Sequence, residues 1–356
     1  MSLALRVGVM QLTMEPVADI VAHAQQLDRC GFDTIWLAEA YPWWRKHGME
    51  ARSSTVLSAL VGRATDRLAV GWGIISPYTR HPIQVAMDAR VTQEIVGPGR
   101  LLLGFGASKI FMKEIGAGDD RPAHPLATMR ESVEIVRGCL SGEALDFHGR
   151  EFSAVVPPLL EEADAPRWPL PIYIAGTGPR LQEMAGELAD GLLTPSITTP
   201  AFLAYARKNL ATGAAKAGRD PASIDLGCTV VASIDEDRAK GREGAREIAG
   251  MYLANKVENI QGSADVLLDS AGLTQAEIRP VAEAMRNGGR LAAAAAVTDE
   301  ILAKTKPIAG TPADCIQAIE EYHEAGCTHV MLELWGEDRN AQIELFGSKV
   351  LPHFRR

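Results

Sequence analysis

Residues 67–107 read RLAVGWGIISPYTRHPIQVAMDARVTQEIVGPGRLLLGFGA. Two short apolar runs, RLAVGWGII at 67–75 and RLLLGFGA at 100–107, flank a helix-like segment at 82–96 that Pro82 opens and Gly97-Pro98-Gly99 closes. Proline just inside a helix start and glycine just past its end are the expected punctuation. The runs on either side are apolar nearly throughout instead of alternating, which marks strands covered on both faces and therefore parallel. The unit is strand, helix, strand.

The same unit recurs along the chain. LRVGVMQL (5–12), DTIWLAEA (33–40), LPIYIAG (170–176), LLTPSI (192–197), IDLGCTVVASI (224–234) and THVMLELWG (328–336) read as further strands, which makes eight. Helical stretches follow at 16–28, 53–65, 125–140, 179–191, 200–217 and 311–326, and a long helical region at about 235–305 is broken at GLTQAEI and RNGGRLA. EALDFHGREFSAVV (143–156) alternates around Gly149 and reads as a β-hairpin. Eight strands joined by crossover helices fit a (β/α)8, or TIM, barrel. An open doubly wound sheet would carry a dinucleotide fingerprint after its first strand, and GVMQLTMEP has none. The expectation is one barrel domain over residues 1–356 with insertions at about 143–170 and 255–305.

Composition narrows the function. The chain has 356 residues, 47% hydrophobic and 23% charged, with a formal charge of −9, which disfavours nucleic acid and anionic membrane surfaces as partners. No stretch is apolar enough to span a bilayer, and the start MSLALRVGVMQL lacks the basic region and cleavage site of a secretory leader. Five cysteines stand singly, without C-x-x-C, which argues against a disulfide scaffold or zinc site and fits a cytoplasmic location. The histidines, among them His47, His81 and His124, show no metal-ligand spacing, and no metal is expected.

In such barrels the chemistry sits at the C-terminal strand ends. That rule selects Gln11 and Thr13, Glu39 with Tyr41, Trp43 and Trp44, Gly73 to Arg80, Gly104 to Lys109, Gly176 to Pro179, Thr194 to Thr198, and Glu333 with Trp335. Two of these segments, LGFGASK (103–109) and IAGTGPR (174–180), are glycine-rich and lead towards helices, so they can approach a phosphate closely. The second also offers the Thr177 hydroxyl and Arg180. Tyr41, Trp43 and Trp44 are suited to roofing a flat ring system, and Glu39 is the acid expected in that pocket.

Four segments make the chain resemble the bacterial luciferase-like superfamily of flavin- and deazaflavin-dependent barrels. They are GFDTIWLAEAYPWW, GWGIISPYTRHPIQVAMDARVTQEIVGPGRLLLGFG, PIYIAGTGPRLQEMAGELADGLL and AGTPADCIQAIEEYHEAGCTHVMLEL. SPYTRHP most resembles the coenzyme F420 branch, which includes methylenetetrahydromethanopterin reductases. The resemblance implies a hydride transfer between C5 of the deazaflavin and a small organic substrate. It implies a non-prolyl cis peptide, Gly73–Ile74, behind the ring, with Ser76 at the ring's polar edge. Gly106, Ala107 and Ser108 would line the ring or tail, and Ala175, Gly176, Thr177 and Gly178 would hold the phosphate. Glu39, with a carboxyl pKa raised by a dehydrated aromatic pocket, and Trp43 would stand at the reaction centre. Ala40 stands where related sugar-phosphate dehydrogenases place a histidine, and Lys109 where relatives often have an acid, which argues against a sugar phosphate. Two alternatives remain: a reduced-FMN monooxygenase, which would need a partner flavin reductase, and a flavin- or deazaflavin-binding protein without turnover. A homodimer through the helices at 53–65 and 82–96 is expected.

Overall fold

The computed structural model describes residues 3–39, 50–107, 124–159, 168–258, 263–335 and 338–355. Its strands in chain order are β1 (Arg6–Leu12), β2 (Thr34–Ala38), β3 (Ala69–Ile75), β4 (Leu101–Gly106), β5 (Leu145–His148), β6 (Ser153–Val156), β7 (Ile172–Ala175), β8 (Gly191–Thr194), β9 (Asp225–Ile234), β10 (Ile308–Gly310) and β11 (His329–Leu334). Eight of them, β1, β2, β3, β4, β7, β8, β9 and β11, pair in parallel in that order, and β11 pairs back onto β1. The sheet is thus closed: a (β/α)8 barrel, with its strands where the apolar runs lie.

The helices are α1 (Val17–Arg29), α2 (Ser54–Arg63), α3 (Pro82–Val96), α4 (Pro125–Leu140), α5 (Pro179–Leu188), α6 (Pro200–Lys216), α7 (Arg238–Glu258), α8 (Ser263–Ala271), α9 (Gln275–Ala296), α10 (Asp299–Lys304), α11 (Pro312–Glu324) and α12 (Arg339–Leu345). Proline opens α3, α4, α5, α6 and α11. In α11, Thr311 and Asp314 form a reciprocal capping box. The breaks read in the long helical region are real: Gly272 (φ 64°) ends the helix before Leu273, and Gly289 (φ 74°) kinks α9. Sequence patterning missed β10, α12 and the C-terminal helical turns after it. β10 is three residues long and exists by pairing with Ala232–Ile234, where β9 outruns the barrel.

Large side chains fill the barrel interior because glycines on neighbouring strands make room for them. A Cβ on Gly71 would stand 2.3 Å from the Trp36 ring, so β3 can pass that indole only without a side chain there. Trp36, Leu102, Tyr173, Leu193 and Met331 form the inner layer, with Met10, Ile74 and Ala175 packed against them. Below this layer, where the strands begin, lies a polar floor. The Asp225 carboxylate accepts hydrogen bonds from Arg6, Thr328 and Tyr173 Oη (2.8 Å), and lies 3.3 Å from His329 Nδ1. These partners hold the Asp225 carboxyl far below the usual carboxylate range despite burial, while burial beside Arg6 lowers His329.

Two further features shape the mouth. The β5–β6 hairpin is tied down by Glu131 of α4, whose carboxylate accepts the N–H groups of Arg150 (2.8 Å), Glu151 (2.9 Å) and Phe152 (2.9 Å). Helices α7 to α10 enclose a second apolar cluster that includes Ile248, Leu253, Ile278 and Val281. Ile197, Val231 and Trp335 join it from the barrel's C-terminal rim.

Candidate active site

Side-chain parity along the strands decides which rim residues face the barrel. In β2, Thr34 and Trp36 point inward, and Ala38 continues that series beside Leu12. Glu39 follows with the opposite parity and turns outward. Its Oε2 accepts the Ser54 backbone N–H (2.8 Å) and the Ser54 hydroxyl (3.0 Å), and the Arg80 guanidinium grips both oxygens at 2.7 and 3.2 Å. Guanidinium and backbone N–H groups can only donate, so Glu39 acts here as an acceptor. Glu39, read from sequence as the acid of the pocket, is engaged here by α2 and Arg80. The geometry makes it a clamp between the start of α2 and the β3–α3 loop. Trp43, Tyr41 and Trp44 lie outside the described residues, as do Ala40, Ser108 and Lys109.

Parity in β11 gives the opposite result. His329 and Met331 point inward, and Glu333 continues the series at the C-terminal rim, fully buried. Ser196 Oγ, just past β8, donates to Glu333 Oε2 at 2.9 Å, and the Tyr252 hydroxyl of α7 donates to Oε1. Burial pushes the Glu333 carboxyl up to about 7, and it pushes Tyr252 well above its ordinary value. Ser196 is held by an unusual turn: Ile197 has φ 68°, a left-handed conformation that a β-branched residue rarely adopts. The next residue fixes that turn, since Thr198 Oγ1 donates to Pro195 O (2.5 Å) and Tyr322 Oη donates to Thr198 O (2.7 Å). Lys256, one helical turn beyond Tyr252 on the same face of α7, is half-buried. Burial alone lowers its ammonium to about 8.

The third wall is the β3–β4–β7 side. The Gly73–Ile74 peptide is cis, and the β3–β4 register shifts between Gly73 and Ile75. Ile74 packs with the inner layer and stays half-buried, which leaves part of its side chain towards the mouth. A Cβ on Gly106 would stand 2.7 Å from Ile74 Cγ1, and one on Gly104 3.3 Å from Ile74 Cγ2. Gly106 therefore gives Ile74 its room, while a Cβ on Gly104 would strike the Trp72 carbonyl oxygen at 2.6 Å before it met Ile74, a division the composition of the loop alone does not reveal. Ala107 beside them is buried. Ser76 is buried in a turn: its Oγ accepts the Tyr78 N–H (3.3 Å) and its carbonyl the Thr79 hydroxyl (3.0 Å).

Ala175 ends β7 in the same inner cluster as Ile74 and Met331, one layer below Glu333. The loop after it is braced on one side and open on the other. Gly176 N–H donates to Leu193 O (3.2 Å), Gln182 Nε2 reaches the carbonyls of Gly176 (3.3 Å) and Thr177 (3.2 Å), and a Cβ on Gly176 would strike Leu181 at 2.7 Å. Around Gly178, by contrast, a Cβ would meet nothing within 4 Å. Gly178 caps α5 without a side-chain hydrogen bond, and Arg180 is exposed at the first turn. Exposed N–H groups at an uncapped helix start, on a braced loop, suit a phosphate. The structure thus gathers Gly73, Ile74, Gly106, Ala107 and Ala175–Gly178 on one side of the mouth, with Glu333, Ser196 and Tyr252 on the other. Among the described residues no cluster of three or more His, Cys, Asp or Glu side chains could hold a metal ion. His329, which sequence spacing left unassigned, belongs to the polar floor instead.

Known proteins match this chain along its whole length. The family model for luciferase-like monooxygenases matches residues 1–329. The 5,10-methylenetetrahydromethanopterin reductase of Archaeoglobus fulgidus is 31% identical over 331 residues, covering 91% of this chain and 92% of the relative. The F420-dependent glucose-6-phosphate dehydrogenase of Rhodococcus erythropolis is 28% identical, covering 95% and 94%. Among solved structures, the coenzyme F420 dependent tetrahydromethanopterin reductase of Methanopyrus kandleri superposes with a TM-score of 0.85 at 26% identity, covering 99% of both chains.

Proposed function

Because the chain belongs to the luciferase-like monooxygenase family, we propose that it is a coenzyme F420-dependent oxidoreductase acting on a small organic substrate. The observation that carries the reading is the Ile74 platform, set between Gly104 and Gly106, in a chain that aligns nearly end to end with F420-dependent enzymes.

The residues present fit such a coenzyme. Ile74 offers an apolar buttress for one face of a planar ring, with Ala175 and Met10 continuing the same surface. Gly176, Thr177 and Gly178 at the open start of α5 would hold a phosphate on the tail, and Ser76 lies near the platform for a polar ring edge. When bound, the coenzyme supplies or accepts a hydride at C5 of its deazaflavin ring. Backing one ring face leaves the other free for the substrate and fixes the side of transfer. Trp43 is proposed to roof that free face, and Ser108 to extend the Gly106–Ala107 wall. Lys256, half-buried without an ionic partner among the described residues, would favour a substrate or tail group that carries negative charge.

We further infer a homodimer. Val56 (66% exposed) and Leu60 of α2, with Met87, Val91 (55%) and Ile95 of α3, leave an apolar surface on two adjacent helices.

The direct test is turnover. Reduced F420 with methylenetetrahydromethanopterin, and oxidised F420 with glucose 6-phosphate, are followed by the absorbance of the oxidised deazaflavin. The reading predicts that at least one reaction proceeds and stops when F420 is omitted. Turnover that needs reduced FMN and oxygen would contradict it, and binding of F420 without any turnover would make the chain a carrier or sensor.

A further inference from the structure

The rim holds two acids with contrasting environments, and the contrast assigns a role. Glu39 is gripped by the Arg80 guanidinium and the Ser54 N–H, which can only donate, and by the Ser54 hydroxyl. Glu333 is surrounded by hydroxyls. Ser196 Oγ and Tyr252 Oη each can donate or accept, so the same geometry satisfies both the carboxylic acid and the carboxylate after a rotation of O–H bonds. A carboxyl that gains and loses a proton without moving its neighbours needs such partners.

Among the described residues no ion pair reaches Glu333; the charged groups on the helices packed around it include Lys256 of α7 and Arg290 of α9, whose guanidinium lies 5.7 Å from the Trp335 ring centroid and 3.5 Å from Glu247. In β1 the sole ionisable residue is Arg6, at the opposite end of the barrel on Asp225. In β9 the ionisable side chains are Asp225, in that same floor, and Cys228, whose sulfur lies 3.2 Å from Cys327. α7 contributes Tyr252, with Lys256 one turn further on. Glu333 itself is fully buried, whereas Tyr252, whose hydroxyl it accepts, is half-buried and the more accessible of the two. Ile197 in its left-handed conformation holds Ser196 against the carboxyl, and backbone strain of this kind concentrates where a precise side-chain position matters.

We propose that Glu333, acting through the Tyr252 hydroxyl, carries the proton that accompanies hydride transfer, with Ser196 as its positioning residue. This rests on the oxidoreductase reading above. In the reducing direction the substrate's unsaturated carbon gains a hydride and is reduced by two electrons, while the coenzyme is oxidised by two. The heteroatom on that carbon takes the Tyr252 hydroxyl proton; the tyrosine O–H bond breaks as a new one forms from the Glu333 proton, and Glu333 is left as the carboxylate. Ser196 donates to that carboxylate until water reprotonates it. In the oxidising direction each transfer reverses. The substrate class that fits is one with a C=O or C=N group that needs one proton per hydride.

The test uses the full chain, and one readout needs no ligand. Infrared difference spectra between pH 5 and 9, wild type against Glu333→Gln, isolate the carbonyl band of the Glu333 acid. That band is expected to disappear with a midpoint near neutrality and to be missing from the variant. Fluorescence titration then measures F420 binding, expected within about threefold of wild type for Glu333→Gln and Tyr252→Phe, a difference well under one tenfold step. Turnover of whichever reporter reaction proceeds should fall about 100-fold in both variants, as loss of acid–base assistance does. In the reducing direction wild-type kcat should decline as pH rises through neutrality, and Glu333→Gln should lose that decline. F420 binding with an unchanged pH profile in Glu333→Gln, with no turnover, or with a carboxyl ionised down to pH 5 overturns the proton step alone. Failure of the wild type to bind F420 overturns the cofactor reading and this step with it.

Discussion

Two glutamates at neighbouring places on one rim differ because strand parity sends Glu39 outward to Arg80 and Glu333 inward to Tyr252 and Ser196. The difference has a consequence for stability. The Glu333 carboxyl rises from 4.5 to about 7 on folding, so between those values the folded protein holds a proton that the unfolded chain has released. Stability therefore falls as pH rises through that window, by about 3 kcal/mol in all. Glu333→Gln, which cannot ionise, should remove this loss: urea unfolding should show the variant gaining on wild type by about 2–3 kcal/mol from pH 5 to pH 8. Parallel curves for the two proteins would mean that Glu333 is ionised throughout. Sequence reading had both glutamates at strand ends and placed Glu39 in the pocket, with no signal for the orientation of either. Strands covered on both faces are apolar on both, so no alternation marks the inward side. Tyr252 reaches Glu333 from a helix about 80 positions earlier in the chain, and nothing local in the sequence signals that contact.

At the scale of elements, the turn residues carry most of the information. Pro82 and Gly97 delimit α3, Gly289 kinks α9, and the eight apolar runs become the eight barrel strands. β10 escaped because three residues acquire strand geometry from the overhang of β9 and not from their own pattern. The glycine-rich loops were legible as special but not in role: Gly106 accommodates Ile74, Gly104 passes close to the Trp72 carbonyl, and Gly178 faces open space. The α2–α3 surface belongs to this scale as well. Val91 is 55% exposed in the middle of α3 and lies among Val56, Leu60, Met87 and Ile95. A charge placed there meets water in a monomer and an apolar partner in a dimer. Val91→Asp should therefore convert a dimer into a monomer in light scattering, with little change in far-UV circular dichroism. A wild type that is already monomeric would remove this surface from the account.

For the whole molecule, a polar floor links barrel strands beneath the apolar layers. Asp225 joins β9 to β1 through Arg6, to β7 through Tyr173 and to the start of β11 through Thr328 and His329. Breaking a buried ionic group by removing one partner typically costs about 3–5 kcal/mol, because the remaining charge stays desolvated. Asp225→Asn should lower Tm by several degrees and leave F420 affinity nearly unchanged, since the floor lies at the end of the barrel opposite the mouth. An unchanged Tm would show that the floor contributes geometry without stability.

The account stands on the mouth being built for a deazaflavin. The most direct measurement is a paired titration of the purified protein with F420 and with FMN, each oxidised and reduced, followed by tryptophan fluorescence and confirmed by calorimetry. Saturable binding of F420 at least about tenfold tighter than FMN, a difference of about 1.4 kcal/mol, is the predicted result. Preference for reduced FMN, or binding of neither, would contradict it.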